Sequence, residues 1–229
     1  MGSNRIDVST KIKKMGYSGA VYRFFDEQIY ADNFCNGLIR VSTLEACRKY
    51  EHPEKGDKGE ASWKQYINTL CIKNASKEIR AALKLAGVDI SPESKGNIIN
   101  RAKKENVIPN AYVLCGTKHF EPKTFQDSFG KYCVEISNAH EFCLQLSEKI
   151  AIHHKGVNVH GDYDDVTYMD RIGIDLQGPR RHIGFIKPVI PYAKQKEFRF
   201  LWTLEDPYIT LEKLDIVCPE IVGMCKRII

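Results

Sequence analysis

The sequence predicts an α+β fold, and three observations carry that reading. Runs of β-branched and aromatic residues recur along the chain and dominate its second half, as in Phe198–Trp202 and Leu214–Val217. Helical apolar spacing is confined to a few segments, most of them nearer the front, rather than alternating with every strand. No repeat, low-complexity tract or proline-rich linker divides the 229 residues. That length suits one large domain or two small ones. A single domain over residues 1–229 is expected, carrying a basic helical insertion at about 73–108.

Taken in order, residues 20–25 (AVYRFF) are rich in strand formers. Asp26 then suits a helix N-cap, Tyr30 and Phe34 form an i,i+4 apolar pair, and Gly37 is a helix stop. Leu38–Val41 reads as a strand ending at Ser42-Thr43, followed by a short helix over 44–50 and a polar loop over 51–60. A strand is expected at 67–72. A helix is expected at 76–86, with Ser76 as cap, Ile79, Leu83 and Ala86 on one face, and Gly87 as stop. Residues 91–104 are read as a second, basic helix. Strands are expected at 111–117 and 131–136. Asn138 caps a helix reaching about Ile152, with Glu141 in the capping-box position and Phe142, Leu146 and Ile150 on its apolar face. The remainder reads as strands near 166–170, 183–190, 197–203 and 214–218.

Composition narrows the class. Hydrophobic residues make up 43% and charged residues 28%, which excludes a disordered chain, a collagen and a disulfide mini-protein. There is no apolar run of transmembrane length, and no apolar block follows a basic start, so neither a membrane span nor a signal peptide is expected. Eight cysteines occur without any C-x-x-C, mostly within apolar runs. They read as buried, reduced thiols of a cytoplasmic protein, with a reactive nucleophile as the lesser alternative. The net charge of +5 is localised: residues 73–104 hold eight basic side chains (Lys73, Lys77, Arg80, Lys84, Lys95, Arg101, Lys103, Lys104) against three acids, a difference of five. Such a stripe could follow a phosphate backbone or could be a solvated helical face.

Common catalytic signatures are absent: there is no phosphate loop, G-x-G-x-x-G, G-x-S-x-G or H-E-x-x-H. His153, His154 and His160 near Asp162, Asp164 and Asp165 are chemically plausible metal ligands. Their spacing matches no defined site, so a polar surface loop is the preferred reading and no metal is expected.

The most informative residues are spread in order along the chain. Arg23 lies inside the first strand, Ser42-Thr43 close the second, and Gln195-x-Glu197 opens a late one. On a strand, residues 195, 197 and 199 share a face, which either borders a cleft or is solvated with Glu197 and Arg199 in balance. This order resembles the mono-ADP-ribosyltransferases of bacterial toxins. Tyr22-Arg23, Arg48-Lys49-Tyr50-Glu51, Gly56-Asp57, Glu60, Phe129-Gly130 and the late Tyr192-x-x-Gln195-x-Glu197-x-Arg199 are also similar to a set of bacterial proteins of unknown function. Leu44 stands where the transferase pattern has a second serine, and Arg40 is a second, poorer candidate for the front arginine.

The resemblance implies a pair of small mixed or antiparallel sheets forming a cleft for NAD+ as co-substrate. It implies that Arg23 holds a phosphate, with Tyr22 beside it, and that Ser42 and Thr43 support the nicotinamide ribose and orient the glutamate. Glu197 would stabilise positive charge as nicotinamide leaves, and Gln195 would position a protein or nucleic-acid acceptor. A toxin or phage-conflict effector with a neutralising partner fits the same picture. The alternatives are a non-catalytic nucleic-acid-binding module or a metal-dependent nuclease built on the histidines. The module would use Lys77, Arg80, Lys84, Arg101, Lys103 and Lys104, with Trp63, Tyr66 or Tyr112 stacking on bases.

Overall fold

The computed structural model describes residues 17–51, 56–72, 76–85, 87–93, 96–174 and 178–229. The fold is mixed α+β with several sheets, mostly antiparallel, and no closed barrel among the described residues. Two compact units emerge where one domain with an insertion was expected. The first holds the described residues up to Glu60, Pro109–Val166 and Val189–Ile229. The second holds Ala61–Ile108 and Thr167–Pro188, so a late stretch of chain joins the expected insertion.

The first unit opens with β1 (Val21–Phe25), α1 (Gln28–Cys35), β2 (Leu38–Thr43) and α2 (Leu44–Lys49). Glu27, not Asp26, stands at the N-cap of α1 and makes no side-chain cap bond. Phe34 is buried while Tyr30 is 55% exposed, so the expected pair is divided between core and solvent. Gly37 has φ +79° and its N–H donates to Phe34 O, as a helix stop requires.

The second unit consists of β3 (Ser62–Ile72), α3 (Lys77–Leu85) and β4 (Asn97–Val107), completed later by β8 (Thr167–Tyr168), β9 (Ile172–Ile174) and β10 (Ile186–Lys187). Ser76 Oγ accepts from Ile79 N at 3.3 Å and Leu83 is buried, as expected for α3; Ala86 lies outside the described residues. Of the residues expected to form a helix over 91–104, those from Asn97 on form β4, paired antiparallel with β3 from Ser62↔Val107 to Ile72↔Asn97, and 94–95 lie outside the described residues. Its Asn and Lys residues carry no strong strand preference; an eleven-residue partner strand overrides local propensity. β9 adds to the other edge of β3 in parallel, and β10 pairs with β8 in parallel.

The chain returns to the first unit through β5 (Tyr112–Thr117), α4 (Pro122–Phe129), β6 (Tyr132–Ile136), α5 (Ala139–His153) and β7 (Val159–Asp165). After the excursion through β8 to β10 come the kinked α6 (Val189–Tyr192), β11 (Glu197–Leu204), β12 (Leu214–Val217) and β13 (Cys225–Arg227). Strands expected near 166–170 and 183–190 shrink to β8 and β10. The polar stretch read as a surface loop supplies β7, which pairs along β11. There Val159 and Gly161 face inward while Asp164 and Asp165 are exposed. α4 was not expected. It begins on Pro122 and ends at Gly130, whose φ is +113° and whose added Cβ would lie 2.1 Å from the Phe25 backbone. No side chain fits there, which explains glycine at that turn.

An eight-stranded antiparallel sheet runs β12-β2-β5-β1-β6-β13, with β11 added on the other edge of β5 and β7 on β11. α5 covers one face. Asn138 Oδ1 accepts from Glu141 N at 3.1 Å, and Phe142, Leu146 and Ile150 are fully buried. Glu141 itself turns to Gln145, which donates to it at 2.6 Å. Phe142 packs 5.2 Å from Phe200 and stacks on Phe34. Burial raises the Cys133 and Cys225 thiols to about 12 and Cys218 to about 11, so these thiols stay protonated at neutral pH. Among the described residues no helix is long and apolar enough to cross a membrane.

Candidate functional site

β5 organises the site. β11 pairs along its whole length, from Glu197↔Thr117 to Trp202↔Tyr112. A strand has two edges, so β2 and β1 must share the other one. β2 pairs at Ser42↔Val113 and Thr43↔Tyr112, and β1 pairs at Tyr22↔Thr117. Between them lies a gap at residues 114–116. The Cys115 carbonyl in that gap accepts a hydrogen bond from Arg23 Nη1.

Arg23 is unusual in what it lacks. Its Nε is buried without a hydrogen-bond partner, and among the described residues no carboxylate pairs with it. Its guanidinium carbon lies 5.3 Å from the centre of the Phe25 ring. Burial lowers its pKa, and among the described residues no acid offsets the loss of solvation. Arginine nevertheless stays charged in proteins. Arg40, the second candidate, is exposed and already neutralised by Asp215 through bonds of 2.6 and 2.7 Å.

On the far edge of β5, Arg199 stands opposite Cys115 in register. It is 1% exposed, donating from Nε to Glu197 Oε1 at 2.7 Å and from Nη1 to Glu60 Oε1 at 2.8 Å. Burial works against its charge, but the flanking Glu197 and Glu60 carboxylates outweigh that and raise its pKa well above the ordinary value. Glu60 is delivered by the polar stretch over 56–60. Tyr192 donates its hydroxyl to Gly56 O at 2.6 Å, Asp57 N bonds Cys47 O, and Arg48 Nε donates to Glu60 O at 2.9 Å. The pairing of Glu197 with Arg199 is therefore buried, not solvated, and joined by a third residue. The sequence held a signal for this: Arg199 lies between Phe198 and Phe200 and needs a counter-charge if the strand is internal.

The remaining candidates are placed as follows. Gln195 is buried but lies in the short turn before β11, not on the strand. Lys196 between it and Glu197 is left-handed, at φ +46°, a conformation costing a non-glycine residue roughly 1–2 kcal/mol. Lys196 is tied to Glu121 at 2.7 Å. Tyr22, Thr117 and Glu197 form one row across β1, β5 and β11 and so share a face. The Tyr22 ring packs 5.4 Å from Phe120, and burial together with the Glu135 carboxylate raises its hydroxyl pKa.

Alternation puts the Arg23 Cβ on the opposite face, with Val21 and Phe25. Its Cα stands two strands from that of Glu197, roughly 10 Å at ~4.8 Å per strand. Ser42 shares the Glu197 face but lies four residues further along β5 and on its other edge, roughly 16 Å away. A direct Ser42–Glu197 hydrogen bond is out of reach. Thr43 is buried, and its Oγ1 accepts from Ala46 N at 3.1 Å as the N-cap of α2. The structure thus groups Arg23, Tyr22 and Glu197 around the end of β5 and leaves the Ser-Thr pair apart.

The six basic candidates separate too. Lys77, Arg80 and Lys84 form one stripe on α3 at steps of three and four. Lys104 lies over Gly87 at the C-terminal end of α3, where a cation is favoured. Lys103, one residue earlier on β4, faces the other way with exposed Arg101 before it. Of the three candidate stacking aromatics, Trp63 and Tyr112 are buried, and Tyr112 shares its hydroxyl with His154 Nε2 at 2.9 Å. His153 adjoins His154, while His160 pairs with Thr203 on the strands. Among the described residues no group of three or more His, Cys, Asp or Glu is placed to hold a metal ion. No known protein family, curated protein or solved structure matches the chain.

Proposed function

We propose that the protein is an NAD+-dependent ADP-ribosyltransferase that breaks the nicotinamide N-glycosidic bond and passes ADP-ribose to a protein or nucleic-acid acceptor. The observation that carries this reading is a half-buried guanidinium, Arg23, whose Nε is buried without a partner and which meets no carboxylate among the described residues, two strands from the buried carboxylate of Glu197. A half-buried cation without a counter-charge suits a phosphate, whose oxygens match the planar fork of donors.

The other half of the reaction needs a fixed negative charge. Breaking an N-glycosidic bond builds oxocarbenium character on the ribose, as in glycoside hydrolysis. The cluster of Glu60, Arg199 and Glu197 holds two acids against one base, and Arg199 fixes the Glu197 carboxylate through its Nε. A preorganised carboxylate of this kind favours the developing cation. Arg23 and Glu197 start from opposite faces of β5, so the dinucleotide has to pass over the C-terminal end of that strand. Tyr22 and Thr117 stand in the same row as Glu197 there.

The test is nicotinamide release from labelled NAD+ in the presence of cell extract, comparing wild type with Arg23→Ala and Glu197→Gln. Each variant is expected to lose roughly a hundred-fold or more of the rate while keeping its circular dichroism spectrum. Release that continues unchanged in both removes the assigned roles.

A further inference from the structure

The second unit carries a surface that the transferase reading does not use. Three of its strands form a sheet in the order β4-β3-β9, and the register sets two rows across them on one face. One row is Lys103–Tyr66–Ile174 and the next is Glu105–Lys64–Ile172. Exposure follows the same alternation. Ile172 and Ile174 are each 52% exposed, and Lys103 and Glu105 are exposed, whereas Trp63, Gln65 and Gly173 of the opposite face are buried. Lys104, on that opposite face, meets the end of α3. Among the described residues, the face with Tyr66 is the one whose flanking side chains, Lys103, Glu105, Ile172 and Ile174, are exposed.

We infer that this face binds single-stranded nucleic acid, with the partly exposed Tyr66 ring as the stacking platform and Lys64 and Lys103 as phosphate contacts. Tyr66 sits on the middle strand with an aliphatic side chain on one flank and a lysine on the other, and Lys103 Nζ lies 5.9 Å from the ring centre. A flat aromatic flanked by cations is what sequence-tolerant binding of single strands uses, because every base has a π-face and every nucleotide a phosphate. The two rows hold two bases against one acid. They belong to the unit whose residues 73–104 carry eight basic and three acidic side chains. A protein-docking face would need an apolar centre depleted of charge. Here each row carries a lysine, and Lys64 sits in the middle of its row, so charge complementarity selects a polyanion with flat rings.

This inference does not rest on the NAD+ reading, and its experiment contains no NAD+. Fluorescence anisotropy would follow a labelled oligouridylate of about 12 nucleotides, within the length such sites cover. Wild type, Tyr66→Ala, Tyr66→Phe, Lys64→Gln/Lys103→Gln and Lys77→Gln/Arg80→Gln/Lys84→Gln would be compared. Tyr66→Ala is expected to weaken binding roughly ten-fold or more, and Tyr66→Phe to retain it. The double lysine variant is expected to flatten the salt dependence by about 1.4 in log–log slope, at about 0.7 per phosphate. The α3 variant is expected to keep its affinity for the oligonucleotide. Four results overturn the inference: no binding by wild type, equal binding by Tyr66→Ala, loss confined to the α3 variant, or polyglutamate competing as well as unlabelled oligonucleotide.

Discussion

Two arginines approach Cys115 of β5 from its two edges and meet opposite electrostatic fates. Arg199 is enclosed by Glu197 and Glu60, whereas among the described residues Arg23 has a single carbonyl and an unpartnered Nε. Both are withdrawn from water, so both lose hydration. Only Arg199 recovers it from within the protein. The contrast separates a cation that holds the fold together from one that remains available to an incoming anion.

The contrast is broken most severely at Arg199. Arg199→Met would leave two buried carboxylates facing each other, and loss of one partner from a buried ion cluster costs about 3–5 kcal/mol. The urea midpoint should fall accordingly, and adding Glu60→Gln to Arg199→Met should recover part of the loss. A midpoint close to wild type for Arg199→Met would mean that the cluster is not a stabilising unit.

Thr43→Ala provides an intermediate case. It removes the N-cap of α2, worth about 1 kcal/mol. Because Thr43 is engaged in that cap, nicotinamide release should remain while the melting temperature drops. Loss of release at unchanged stability would return Thr43 to the reaction.

A smaller effect is expected at the N-terminal end of β5, where Tyr112 bonds His154. Burial, then the neighbouring His153, lowers the His154 pKa below its ordinary 6.5. The neutral ring is favoured in the fold, so its contribution is present above the unfolded pKa. It is lost as pH falls from about 6.5 through the lower folded value. The melting temperature of wild type should decline more steeply between about pH 7 and pH 5 than that of His154→Gln, which cannot titrate. Parallel slopes would contradict this.

How much of this was legible in the sequence depended on how local each cause is. The Asn138 cap, the stop at Gly37 and the strand at Glu197–Leu204 follow from short-range pattern, and the structure has them. β4 and β7 were missed because their residues are polar and their strand state comes from partners, β3 and β11. Alternation misplaced Gln195, since left-handed Lys196 interrupts the strand before Glu197. The bond between Glu60 and Arg199 spans 139 residues, so no local spacing could reveal it. Arg23 stands out by its place in a strand, whereas its lack of a counter-charge among the described residues depends on neighbours distant in sequence.

Calorimetric titration of NAD+ into wild type and Arg23→Met tests the central claim most directly. A half-buried cation held among the described residues by one carbonyl and no carboxylate contributes little to folding, so Arg23→Met should be within about 1 kcal/mol of wild type in stability, or slightly above it. The account expects wild type to bind NAD+ and the equally folded Arg23→Met to have lost that binding. Equal heats from both proteins, or none from wild type, would contradict it.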